Sequence, residues 1–257
     1  SRHLGELEAP TTPGANGGRR VQPQADRIVG ADGGCQIAQT KLATQDEGAA
    51  IALDAEEGAV VAGFTSFGDF PATGGAFDET YNGNQDAFVA KLSPAGDRLA
   101  YATYLGGTGS ERARSLALTW TGEALVAGFT ASGDFPATPG AFDVSLDGVG
   151  DGFVARLSAS GSTLVFATYV GGSFTDDAWS VAVDSAGNAL VTGLAGSGDF
   201  PSTPGAFDDS FNGGLSDAFV LDLDPSGSLL YAGFLGGATI DDGRGIAVDP
   251  AGRAYVV

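Results

Sequence analysis

The chain holds one Cys, one His and no Met among its 257 residues. One Cys cannot build a disulfide framework or a Cys-clustered zinc site. The single His is His3, outside any patterned segment. His-based triads, His metal sites and His general bases are thereby excluded from the patterned part of the chain. Bases are scarce as well: 12 Lys and Arg stand against 32 Asp and Glu, a net charge of −20. Residues 1–40 carry four charges of each sign, so the whole excess falls on 41–257. Such a surface repels phosphate backbones and matches anionic headgroups poorly, so no nucleic-acid partner is expected. No run of 18 apolar residues occurs, and no membrane insertion is expected.

Glycine, by contrast, is abundant: 42 residues, more than double the usual share of ~7 %. With 43 % of the chain hydrophobic, this is not a disordered composition. The glycines keep time. GDFP begins at Gly68, Gly133 and Gly198, and paired glycines fall at Gly106-Gly107, Gly171-Gly172 and Gly236-Gly237, all in steps of 65. Segments ending at Asp54, Thr119, Asp184 and Asp249 keep the same step, and a third set opens at Asp86, Asp151 and Asp217 with one residue inserted. A fixed period this long marks a repeat architecture.

Each unit predicts four short strands, exemplified by SVAVD from Ser180, ALVTG from Ala189, DAFVLDL from Asp217 and SLLYAGFLGG from Ser228. Alternation, β-branched and aromatic residues, and Gly, Asn, Pro and Ser turns support strands throughout, and no capped helical stripe competes. Four antiparallel strands repeated radially make an all-β fold, a β-propeller. A β-solenoid coil is far shorter than this repeat. The expected units are 26–44 (partial), 45–109, 110–174, 175–239 and 240–257 (partial), about 3.5–4 blades, preceded by a Pro- and Gly-rich arm over 1–25. CQIAQT, which includes Cys35, suits a worn fourth strand, and a minority alternative closes the ring between it and the end of the chain. The partial units, with no Met and no signal peptide, suggest a fragment whose remaining blades belong to a longer chain.

The stretches TYLGGTGSERARSLAL (Thr103 to Leu118) and ALVAGFTASGDFPATPGAF (Ala124 to Phe142) resemble the SBBP bacterial β-propeller repeat, and VAVDSAGNALVTG with GDFPSTPGAF does so again. The resemblance covers roughly 41–257, although Lys41-Leu42 replaces the glycine pair in the first unit. The closing RGIAVDPAGRAYVV is also similar, more weakly, to NHL-type repeats. The resemblance implies a large secreted, cell-surface or periplasmic bacterial protein with the propeller as a binding or structural module, and it brings no catalytic residues.

In a propeller with strands running outward in chain order, the short turns such as DSAGN and DPSG share one face. The long second-to-third-strand loops and the inter-blade connections share the other. Loops of about 20 residues are usually functional or self-packed. Asp69, Phe70, Asp134, Phe135, Asp199 and Phe200 recur there as candidate ligand-face residues. The rings suit either a plug folded onto the blade or an exposed platform for sugars.

Acids keep phase too: 16 of the 32 stand at repeat-equivalent positions. Most suit capping of their own turns. Adjacent acids are less easily explained so, because they repel unless a cation or solvent separates them. Asp46, Glu111, Asp176, Asp177, Asp241 and Asp242 are therefore candidate calcium (Ca2+) ligands, the one cofactor considered. No ordered calcium-loop signature is present: DLDPSG has only two spaced acids, and its counterparts read KLSPAG and RLSASG.

Without His, an enzyme would need a carboxylate-only mechanism. Catalytic residues are unique, whereas these acids occur once per blade. The leading expectation is a non-catalytic module that binds protein or glycan through its long-loop face. The alternatives are a carboxylate glycoside hydrolase or lyase of the axial cleft, and a structural spacer in a large surface protein.

Overall fold

The computed structural model describes residues 46–257. The arm, the expected partial unit over 26–44, Lys41-Leu42 and CQIAQT lie outside the described residues. Three four-stranded sheets follow one another along the chain. The first blade is β1 (Glu47–Leu53), β2 (Ala59–Thr65), β3 (Asp86–Leu92) and β4 (Leu99–Leu105). The second is β5 (Glu111–Leu118), β6 (Ala124–Thr130), β7 (Asp151–Leu157) and β8 (Leu164–Val170). The third is β9 (Asp176–Val183), β10 (Ala189–Ala195), β11 (Asp217–Leu223) and β12 (Leu229–Leu235). A hairpin of β13 (Ile246–Val248) and β14 (Ala254–Val256) comes last. Strand order within each sheet is chain order, and every pairing is antiparallel. No helix of the described residues is long and apolar enough to cross a membrane.

Local chemistry sets the hairpins. In the β1–β2 turn Asp54 Oδ1 accepts the N–H groups of Glu56 and Gly58, at 2.9 and 2.7 Å. Asp184 does the same for Ala186 and Asn188, and Asp249 for Ala251 and Arg253. These are Asx-type turns, which explains why those acids keep phase.

The second blade is buried on both faces. Along β6, Ala124 and Val126 pack into the core shared with the first blade, while Leu125 and Ala127 pack into the core shared with the third. β7 divides likewise, with Phe153, Ala155 and Leu157 on one side and Val154 on the other. A strand enclosed on both faces cannot alternate apolar with polar, which is why these segments read as continuous apolar runs. The first strands β1, β5, β9 and β13 contact one another in succession and line the inner edge.

Those inner strands carry a bulge the sequence did not reveal. Register shifts fall at Ala49, Arg114 and Trp179, again 65 residues apart. The extra residue swings the backbone across the second strand. A Cβ at Gly63, Gly128 or Gly193 would overlap the carbonyl of Glu47, Arg112 or Asp177. Glycine is obligatory at those three sites because of close approach, not turn conformation.

Candidate functional site

The long-loop face is built from the glycine pair upward. The second glycine of each pair donates its N–H to the acid that opens the next blade: Gly107 to Glu111, Gly172 to Asp176 and Gly237 to Asp241, each at 2.8 Å. Thr130 and Ser132 add hydroxyl donors to Glu111 at 2.8 and 2.5 Å, and Ser197 adds one to Asp176 at 2.6 Å. Glu111 and Asp176 therefore tie the incoming loop to the end of the second strand. Burial nonetheless raises both above the ordinary carboxylate range.

The Asp of GDFP closes the same joint from outside. Asp134 accepts the N–H and hydroxyl of Thr108 at 2.8 and 3.0 Å, and Asp199 accepts both from Ser173 at 2.9 Å. These donors hold both carboxyls below their usual range. Asp69, the equivalent in the first blade, is exposed.

The Phe of GDFP turns inward. Phe135 is buried, 4.8 Å from the Phe153 ring and 5.7 Å from Tyr169. Phe200 is buried against Phe219 and Phe234 at 4.6 and 5.8 Å. Phe70 lies half-buried on Phe88 and Tyr104. Of the two arrangements open to these rings, the structure has the plug: the loops fold onto their own blades, and Phe135 and Phe200 offer no free ring to a sugar.

The six acids considered as calcium ligands are not brought together. Asp46, Glu111, Asp176 and Asp241 open successive blades, and among the described residues no three His, Cys, Asp or Glu side chains converge on a metal position. Asp177 pairs with Arg114 at 2.7 Å. Asp242 takes the Ser216 hydroxyl and pairs with Arg244 at 3.0 Å. Adjacency in sequence is resolved by splitting each pair: one acid turns to the loop, the other to a base.

Two sets of residues were not among the candidate site residues. Arg114 at the β5 bulge reaches Asp177 of the third blade, and the Arg244 guanidinium lies 4.4 Å from the ring of Trp179, the β9 bulge residue. The bulge residues Arg114 and Trp179 thus each grip the next unit along the inner edge. Ser115 and Ser180 add hydroxyl acceptors for the N–H groups of Val181 and Ile246. The signal was the 65-residue phase of 114, 179 and 244, disguised by the change from Arg to Trp.

The second set is Asp86, Asp151 and Asp217, which open the third strands and are fully buried. Burial, reinforced by Glu111, pushes Asp86 up to about 6. Burial, reinforced by Asp176, Asp147 and Asp143, pushes Asp151 up to about 7. Asp217 is raised by burial too, with Asp241 and Asp208 adding to it. One carboxylate oxygen of Asp151 and one of Asp217 lack any hydrogen-bond partner.

The face also displays apolar side chains. Val149 and Phe174 are 79 and 63 % exposed on loops joined by the Gly150–Thr175 bridge. Leu215 and Ile240 occupy the corresponding loops one blade further on, 77 and 57 % exposed.

The family model described as SBBP, beta-propeller repeat, matches residues 165–201, from the outer strand of the second blade through GDFP of the third. No curated protein matches the chain. The matched segment spans one glycine-pair joint and one inner bulge, and both recur in phase with it, which supports reading the units as SBBP-type β-propeller repeats.

Proposed function

We propose that this propeller segment is a non-catalytic binding module whose ligand face is the long-loop face, and that its ligand is a protein carrying basic and apolar groups. The carrying observation is the exposed pair Val149 and Phe174, echoed by Leu215 and Ile240. Exposed apolar side chains grouped on adjoining loops suit a partner surface. The net charge of −20 favours a basic one, through steering and complementarity. A protein is preferred to a glycan because Phe135 and Phe200 are packed inside their blades.

Two features support a non-catalytic role. Asp86, Asp151 and Asp217 have raised proton affinity, as a general acid needs, but each is buried and does the same work in its own blade. Glu111 and Asp176 hold backbone and hydroxyl donors of the joint. A place outside the cell or at its surface belongs to the proposal through the resemblance of the repeats.

The test compares the chain with a Val149→Asp/Phe174→Asp variant on immobilised secreted-protein fractions, a glycan array and a generic glycosidase screen. Protein ligands lost by the variant and weakened in about 1 M salt, where the screening length is ~3 Å, support the reading. Ligands retained by the variant, binding confined to glycans, or glycosidase turnover would reject it.

A further inference from the structure

We propose that the chain associates head to tail, the exposed face of the β13–β14 hairpin of one copy docking on the exposed face of the first blade of a second copy. The contact repeats a joint the chain already makes within itself. Each internal joint pairs the same two surfaces. One is the trailing face of a unit: Val60 and Ala62 in the first blade, Leu125 and Ala127 in the second. The other is the leading face of the next unit: Leu116 and Leu118 pack on the first blade, and Val181 and Val183 on the second.

The chain also shows one surface of each kind to solvent. Ile51 and Leu53 of β1 stand 65 residues before Leu116 and Leu118. They are 57 and 66 % exposed, although their equivalents are packed. Tyr255 and Val257 stand 130 residues after Leu125 and Ala127. They are 55 and 83 % exposed. Among the described residues these two surfaces are not packed together: β13 packs on β9 and β10, and β1 on β5. A second copy offers each surface the complement that the internal joints show it to fit. That argument favours this occupant over an unrelated protein.

Charge sets the orientation. Across the joint between the second and third blades, the bulge residue Arg114 pairs with Asp177 at 2.7 Å. Arg244 stands 130 residues after Arg114, and Glu47 stands 130 residues before Asp177. Both are exposed. Arg244 rests on the Trp179 ring and gives one nitrogen to Asp242, and a guanidinium has further N–H donors for a second carboxylate. Docking in the manner of the internal joints sets Arg244 of one copy on Glu47 of the next. Joining two like faces would instead bring Arg244 to Arg244 or Glu47 to Glu47, which like-charge repulsion disfavours. The contact is therefore heterologous, and copies add until a ring closes. The hairpin offers two strands where a blade offers four, so the area is expected to fall below the ~1,200 Å² of stable complexes and the association to be weak and reversible.

The experiment is analytical ultracentrifugation of the full chain at about 0.15 M salt, which screens the self-repulsion of a −20 protein. Concentrations run from about 1 to 300 µM, a span suited to a weak interface. The mean mass is expected to rise with concentration. Leu53→Asp and Tyr255→Asp, both on exposed side chains, are each expected to stay monomeric. An equal mixture of the two retains one intact pair of surfaces and is expected to form a dimer and nothing larger. Glu47→Arg and Arg244→Glu should each weaken association by about tenfold, and the two together should restore it to within about threefold. Melting temperatures near that of the parent establish that each variant is folded. A parent chain that stays monomeric throughout overturns the proposal, and so does a mixture of the two folded variants that does not dimerise. Association retained by either Leu53→Asp or Tyr255→Asp overturns it as well. Its loss in Val149→Asp/Phe174→Asp would then assign the contact to the long-loop face, whose proposed ligand is a separate matter.

Discussion

Asp222 stands opposite Asp184 in the third blade, at the place where the first blade sets Lys91 2.6 Å from Asp54. The second blade also has a base there: Arg156 pairs with Glu123 at 2.6 Å. Burial, with the charges of Asp184 and Asp224, pushes Asp222 up to about 6, and its Oδ1 has no partner. Asp222→Lys should restore the arrangement of the sister blades. The expected gain is about 1 kcal/mol, or ~2–4 °C in melting temperature near neutral pH. A lower melting temperature would show that the site does not accept the pair.

The inner bulges make a sharper demand. Gly128→Ala places a methyl group on the Arg112 carbonyl and against the Phe153 ring. The expected loss is about 3 kcal/mol or more by urea titration, because backbone rather than a flexible side chain must move. Gly133→Ala, with nothing within 4 Å of the added Cβ, should change stability by less than about 0.5 kcal/mol. Equal effects at the two positions would refute the close-approach explanation.

The loop plug can be tested at one ring. Phe135→Ala removes a buried side chain packed on Phe153 and Tyr169 and should cost about 3–5 kcal/mol. Phe70→Ala should cost clearly less, since Phe70 is half-buried. If Phe135→Ala left stability unchanged while lowering partner binding, the ring would belong to the ligand face.

Asp151 predicts the sign of the pH response. Its carboxyl lies at about 7 in the folded chain against an ordinary 3.8, through burial first and the charges of Asp176, Asp147 and Asp143 second. The folded chain therefore holds a proton that the unfolded chain has released. That contribution is complete below about pH 4 and is lost as the pH rises through about 7. Asp86, lifted to about 6, acts in the same direction. The urea midpoint should fall between about pH 5 and pH 8, and Asp151→Asn should flatten the slope. A midpoint that rises over this interval would contradict the assignment.

Much of the fold was legible in advance, for identifiable reasons. The third strand of the third blade, Asp217–Leu223, coincides with the segment DAFVLDL, because a doubly buried strand bounded by turn residues has clear ends. The first strand was expected from Ser180 but begins at Asp176. The bulge at Trp179 breaks the two-residue alternation there, so pattern alone stops short. The loop rings were visible as repeating positions. Whether Phe135 faced solvent or the blade was not, since a Phe at a fixed repeat position serves either use.

The sequence by itself determined the repeat length, the four strands of each unit, their order and the turns capped by Asp54, Asp184 and Asp249. All of these rest on local alternation and on bonds spanning two to four residues. Only the tertiary structure decided what each remaining acid does. Asp134 meets Thr108 across 26 residues, and Arg114 meets Asp177 across 63. The closing of one blade on the next puts Asp151 out of reach of water with an oxygen unpartnered. A carboxylate's charge and use depend on which donors the packed neighbour brings within about 3 Å, and that is fixed by how the blades pack.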